Sequence, residues 1–272
     1  MNRLFLSVGI LCFLIPFLLQ VADKKEQNLI IDTYKSEVEN CEDDELLECF
    51  QNAIDYNAAL FELKQSSVGK EVTLNYENQL NVTKTGMMGH IEIPKINVSL
   101  PVFHGTSEEI LSTGVGHLEG SSLPVGGENT HAVLTGHCGL PSAELFTRLD
   151  ELQNEDYFIL HICNRDLMYK VISVQIVKPD QVEVIEIEKS KDLVSLITCT
   201  PYGINTHRLV VTGERVDRVE EIETENNEMI SDGGVDEKIY FIMGIGTMLF
   251  LLLFCGGIHR KFGDSCRRKR RI

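Results

Sequence analysis

The chain has 272 residues, 43% hydrophobic and 24% charged. That is enough apolar material for one sizeable core or two small ones, and it excludes a wholly disordered tail. Eight cysteines without a CxxC pair exclude a disulfide scaffold and a zinc ribbon, and a formal net charge of -16 argues against a nucleic-acid partner.

Apolar and charged residues are segregated along the chain. Residues 5–22 read FLSVGILCFLIPFLLQVA after Arg3, and residues 239–258 read IYFIMGIGTMLFLLLFCGGI, about the length that crosses a bilayer as a helix. After the second run Arg260, Lys261, Arg267, Arg268, Lys269, Arg270 and Arg271 face only Asp264. Such a basic cluster is expected on the cytoplasmic side, which puts the tail 259–272 inside and the acidic middle outside the cell membrane. With Arg3 and the tail removed, the middle holds 17 basic and 40 acidic residues, a net charge of -23. Segment 1–22 reads as a signal or anchor. Gln20 stands where a cleavage site wants a small residue, and Pro16 interrupts the run, which favours the uncleaved anchor.

Residues 23–85 are acidic. Leu46, Leu47, Phe50, Ile54, Leu60 and Phe61 recur at one or two helical turns, which predicts broken helix over about 28–64, read as a solvated stalk packed loosely on the domain after it. The polar stretch 65–82 reads as a loop. From Gly86 to about residue 219 the pattern shifts to short alternating runs: HIEIPKI, SLPVFHG, THAVLTGH, YFILHI, MYKVISVQIV, LVSLITCT and HRLVVTGERV. Seven β-rich runs with glycines between them predict a mostly β domain closed as a barrel or sandwich. Short helices fit at 107–114 and 143–150. Residues 220–238 read as an acidic linker to the span 239–258.

The middle contains Cys41, Cys49, Cys138, Cys163 and Cys199, an odd number that leaves at least one free thiol. Cys199 ends a strand-like run, SLITCT. A thiol beside an imidazole or a cation is a nucleophile at neutral pH, whereas an isolated one is a small buried hydrophobe. The turn Pro201-Tyr202-Gly203-Ile204-Asn205-Thr206 then returns the chain through His207 and Arg208. That return can set a guanidinium beside Cys199, where it would steady an oxyanion; the alternative is a surface arginine. His137 closes Thr135-Gly136-His137 after an apolar strand and can act as acid and base, but spacing alone leaves His131, His161 and His207 equally eligible.

Three phrases, Thr135-Gly136-His137, Thr198-Cys199-Thr200-Pro201-Tyr202-Gly203 and Asn205-Thr206-His207-Arg208, resemble the His, Cys and Arg motifs of the sortases. Longer runs such as GMMGHIEIPKINVSLPVFHGTSEEIL and GVGHLEGSSLPVGGENTHAVLTGH resemble the class C, pilus-assembling branch, with the likeness running from about Gly86 to Val216. The resemblance implies an eight-stranded β-barrel between an N-terminal helical region and two hydrophobic membrane segments. It also implies a cysteine transpeptidase that uses no cofactor and no metal. Cys199 would be the nucleophile, His137 the general acid and base, and Arg208 the clamp on substrate and oxyanion. The implied substrate is an LPXTG-like sorting signal, cut between Thr and Gly through a thioacyl enzyme. The implied acceptor is a lysine amine of a pilin subunit.

The chain departs from that pattern in three places. No Asp-Pro-aromatic lid triplet occurs in 22–85, Ser195 stands where the family usually has Thr, and Cys138 stands where a basic residue is commoner. Cys138 reads either as an inert thiol or as a redox partner of Cys199. His137, Cys138, His161, Cys163, Cys199 and His207 lack the paired spacing of a zinc site. Competing readings are a sortase that anchors single proteins to the cell wall, a non-catalytic membrane scaffold, and a papain-like hydrolase. The last would need its nucleophile on a helix and a later histidine.

Overall fold

The computed structural model describes residues 2–66, 75–140 and 144–216, with residues 2–14 and 16–18 described as backbone only. The chain divides into a unit 1–217 and a unit 218–272; the linker, second span and basic tail lie in the latter, outside the described residues. Among the described residues no helix is long and apolar enough to cross a membrane, so the expected flanking membrane segments find no support there.

Eight strands close into a barrel: β1 (Met87–Ile93), β2 (Val98–His104), β3 (Val115–His117), β4 (Thr130–Thr135), β5 (Tyr157–Ile162), β6 (Arg165–Val177), β7 (Asp192–Thr200) and β8 (His207–Arg215). Their order around the barrel is β1-β2-β3-β4-β7-β8-β6-β5, with β1 pairing β5 to complete the ring. Closure leaves no exposed edge. The seven runs read from the sequence each hold a strand, and the eighth, β3, is three residues long. In HIEIPKI the strand stops at Ile93, because Pro94 starts a 3-10 turn, Pro94–Ile96, and cannot donate to a ladder.

Six of the eight pairings are antiparallel. The exceptions are β2 with β3 and β4 with β7. The second positions the site, because strands that run the same way finish at the same rim. Inside the barrel Ile91, Val102, Leu134, Phe158, Leu160, Tyr169, Leu196 and Val211 are buried.

The stalk reading needs correction. Helix α1 (Asn2–Asn40) and helix α2 (Asp43–Gln65) bury Ile31, Tyr34 and Val38, and Leu46, Phe50, Ala53, Tyr56 and Leu60, in the same core as the barrel. These positions recur every three or four residues and make one apolar stripe per helix. Polar contacts fix the docking. Asn57 is buried and its amide both donates to the Leu123 carbonyl (3.0 Å) and accepts from the Leu123 N–H (2.7 Å). The Tyr34 hydroxyl donates to the Met88 carbonyl at 3.0 Å. Asp43, Asp44 and Glu45 in the first turn of α2 complement the positive end of its dipole. A third helix, α3 (Glu108–Thr113), capped by Ser107, lies where the sequence placed one. No α-helix forms at 144–150. Those residues are turn, leading into a 3-10 segment, Leu149–Glu151.

Candidate active site

Cys199 and Arg208 are directly paired across the β7–β8 ladder, with Thr200 opposite His207 one step on. Opposed residues in an antiparallel pair project to the same face, so the thiol and the guanidinium share one. The turn 201–206 that joins the strands is held by the Ile204 and Asn205 N–H groups, both donating to the Pro201 carbonyl at 3.0 Å. Arg208 Nη1 donates to the carbonyls of Asn205 (3.3 Å) and His207 (3.0 Å), which fixes the guanidinium against its own loop.

On the other side of β7 runs β4, parallel and in register from Thr130 with Asp192 to Thr135 with Ile197. The pairing continues past the end of β4. The Gly136 N–H donates to the Ile197 carbonyl (3.0 Å), and Thr198 Oγ1 donates to the Gly136 carbonyl (2.7 Å). Carried on by one more residue, that register sets His137 level with Cys199. A cysteine and an arginine on neighbouring strands β7 and β8 and a histidine two residues past the end of β4 are therefore gathered at one rim, the cysteine in the middle. All three residues are partly exposed, although the His137 Nε2 atom itself is buried.

The other histidines occupy different places. His131 is buried, with Nδ1 donating to the Glu186 carbonyl (2.8 Å) and Nε2 bonded to Ser195 Oγ (2.8 Å); burial lowers its pKa. Ser195, bonded also to Thr212 Oγ1 at 2.8 Å, still supplies the hydroxyl that a threonine there would. His161 is bonded through Nδ1 to Asp166 (2.7 Å) on the β5–β6 hairpin. Burial opposes its protonation, but Glu92 and Asp166 outweigh burial and raise its pKa. His207 is level with Thr200, with Nδ1 3.0 Å from Thr206 Oγ1. Among the described residues no group of three or more His, Cys, Asp or Glu side chains is arranged to hold a metal ion.

Several residues around the site have no signal of their own in the sequence. Glu108, at the start of α3, places Oε1 3.3 Å from His137 Nε2. That is ion-pair range without hydrogen-bond alignment, since Nε2 has no hydrogen-bond partner among the described residues. The His137 carbonyl accepts from the Phe146 N–H (3.1 Å), and a Cβ on Gly136 would strike the Phe146 ring at 2.8 Å. Gly139 has φ +82°, and a Cβ there would meet the Tyr202 ring at 2.5 Å, so a bulkier residue is barred twice over. Glu108 is one of two acidic residues in an ordinary first helical turn, and the Gly139–Tyr202 contact joins positions 63 apart, so neither could be read locally. Cys138 also lies near Cys199. Burial raises its thiol pKa, and the charges of Asp150 and Cys199 push the same way, which keeps it protonated. Both thiols are free.

A sortase-domain family profile matches residues 91–216. Sortase D of Bacillus subtilis (strain 168) is 34% identical over 131 residues, 47% of this chain and 63% of that relative, so the chain spans less than two thirds of that relative's length. Two solved structures match more fully. Sortase C of Streptococcus pneumoniae, reported in connection with pilin substrate specificity, is 43% identical with a TM-score of 0.63, covering 69% of this chain and 96% of that one. Sortase C of Clostridium perfringens, solved with the C-terminal cell wall sorting motif, is 46% identical with a TM-score of 0.61, covering 69% and 98%. Barrel and sequence agree over the same residues that hold the Cys199 rim, and the chain belongs to the sortase family.

Proposed function

We propose that this chain is a cysteine transpeptidase of the class C kind, acting on proteins with an LPXTG-like sorting signal and joining them to a lysine amine of a pilin subunit. The observation that carries the reading is the Cys199–Arg208 register pair, with His137 brought level by the parallel β4. Cys199 Sγ, its proton passed to His137, attacks the carbonyl carbon of the signal's Thr, and Arg208 stabilises the oxyanion that forms. The C–N bond to Gly breaks and the leaving amine takes a proton from His137. A lysine amine then attacks the thioester, returns a proton to His137 and expels Cys199 as the isopeptide bond forms. The likeness to the sortase C structures, one bearing a cell wall sorting motif and one linked to pilin specificity, supports the substrate class. The charge pattern of the sequence supports a site on the outer face of the membrane, with residues 259–272 inside.

The test is incubation of the full chain with a pilin bearing a sorting signal, alongside a peptidoglycan-like amine. A ladder of covalent pilin oligomers is expected. Transfer to the wall amine alone would favour single-protein anchoring, hydrolysis without transfer would favour a protease, and covalent product from Cys199→Ala would sink the catalytic reading.

A further inference from the structure

Away from the active rim, the β5–β6 hairpin is pressed into the corner between α1 and α2. Its two-residue turn, Cys163-Asn164, lies between the paired Ile162 and Arg165, with φ +46° and +61°. This is the geometry of a type I′ turn, which favours Asn, Asp and Gly; a cysteine at the first position is unusual there. The Cys163 N–H donates to the Tyr34 hydroxyl at 3.2 Å, and the Arg165 guanidinium lies 4.3 Å from the centre of the Phe50 ring. Next to Phe50 on α2, Cys49 accepts a hydrogen bond from Cys163, with the sulfurs 3.8 Å apart. Both thiols are free; Cys163 is buried and Cys49 half-buried.

We propose that Cys49 and Cys163 are a disulfide-forming pair that staples the two-helix layer to the barrel, closed by exchange with a small-molecule disulfide. The sulfurs, 3.8 Å apart, need to approach by roughly 1.8 Å to reach the ~2.0 Å of a bond. The hydrogen bond from Cys163 lowers the Cys49 thiol pKa against the effect of burial, while that bond and burial push Cys163 far up. Cys49, the more ionised and more exposed of the two, therefore attacks first. Its thiolate forms a bond to one sulfur of RSSR and expels RS⁻, which takes a proton. Cys163 then gives up its proton, attacks Cys49 Sγ and expels the second RS⁻. Two protein thiols are oxidised and one RSSR is reduced to two RSH.

The pair is 114 positions apart in the sequence, so closing it removes much of the freedom of the unfolded chain. The test treats the full chain in detergent with oxidised glutathione and then with reductant. The expected results are a peptide map linking residues 49 and 163, and a rise in Tm of roughly 5–10 °C that reductant reverses. Cys49→Ala and Cys163→Ala should each lose the rise, and Cys41→Ala and Cys199→Ala should keep it. If Cys163→Ala does not fold, Cys49→Ala with the peptide map decides. Three outcomes overturn the proposal: both cysteines remaining open to alkylation, Cys49 linked to Cys41 instead, or a glutathione adduct on Cys49 that never closes.

Discussion

The Cys199 rim and the Cys49–Cys163 corner each set a sulfur beside an arginine, and their surroundings give the two sulfurs opposite access to solvent. At the rim, Cys199 is partly exposed and lies beside the turn 201–206, where Tyr202 and Ile204 are 65% and 68% exposed, so a peptide can reach the thiol and leave it. At the corner, Cys163 is 3% exposed and the Arg165 guanidinium is turned onto an aromatic ring. Chemistry at the corner is therefore restricted to the neighbouring thiol and to small reagents. Burial, more than residue type, decides whether a cysteine turns over substrate or holds structure.

The sharpest way to break that contrast is Cys199→Ala. It should lower covalent product formation by about a thousandfold or more, with Tm moving by only about a degree, as read by product assay and thermal melt on one preparation. A substantial loss of stability would mean the rim cysteine is structural too. On the side of the helical layer, Asn57→Ala should do the reverse. Removing that amide leaves the buried Leu123 N–H without a partner, while the Leu123 carbonyl keeps the Val125 N–H at 2.8 Å, which costs about 1–3 kcal/mol, measured by urea unfolding, while activity per folded molecule stays within a few-fold.

These two expectations depend on details of differing legibility. The Cys199–Arg208 pairing was readable, because strand-like runs flank a six-residue turn and the return sets the arginine opposite. The helical region was readable as helix but not as part of the core. Tyr34 and Asn57 are polar enough to pass for surface residues, and only the partners they reach, Met88 and Leu123, show otherwise. Spacing left His131 and His137 equal and only the motif resemblance named His137; the parallel β4–β7 pairing that sets it toward Cys199 is something no local pattern encodes. Strand β3 is too short to alternate, and the 144–150 segment kept the apolar spacing of a helix while its residues served as turn, with Phe146 packed on Gly136.

Acid should expose a third difference. His117 is fully buried, with Nδ1 accepting from the Tyr76 hydroxyl and Nε2 donating to the Ser122 carbonyl, each at 2.8 Å. Burial lowers its pKa to about 4, and burial, then the charge of His161, lowers that of His90 to about 3. In the unfolded chain both titrate near 6.5. Below that pH the unfolded state binds protons the folded state refuses. Their stabilisation is therefore complete above about pH 6.5 and falls as the pH drops toward 4, by about 3 kcal/mol for His117 alone. Urea unfolding at pH 7.5 and 4.5 should show the drop, and a His117→Gln variant should flatten it; equal stability at both values would refute the neutral, buried assignment.

The smallest effect is expected at Glu108. Its carboxylate is 83% exposed, and water screens so open a charge pair. Glu108→Gln should slow transfer by less than about threefold, and a loss of a hundredfold would make this carboxylate part of the machinery.

Tyr202 stands on the loop after Cys199, and its ring lies against Gly139, two residues beyond His137. The two segments are thus geared to each other through one aromatic plate. Under the proposed function, a polypeptide that displaces the 201–206 loop would strip this contact from the segment that bears the imidazole, so cargo entry and the seating of His137 would be coupled.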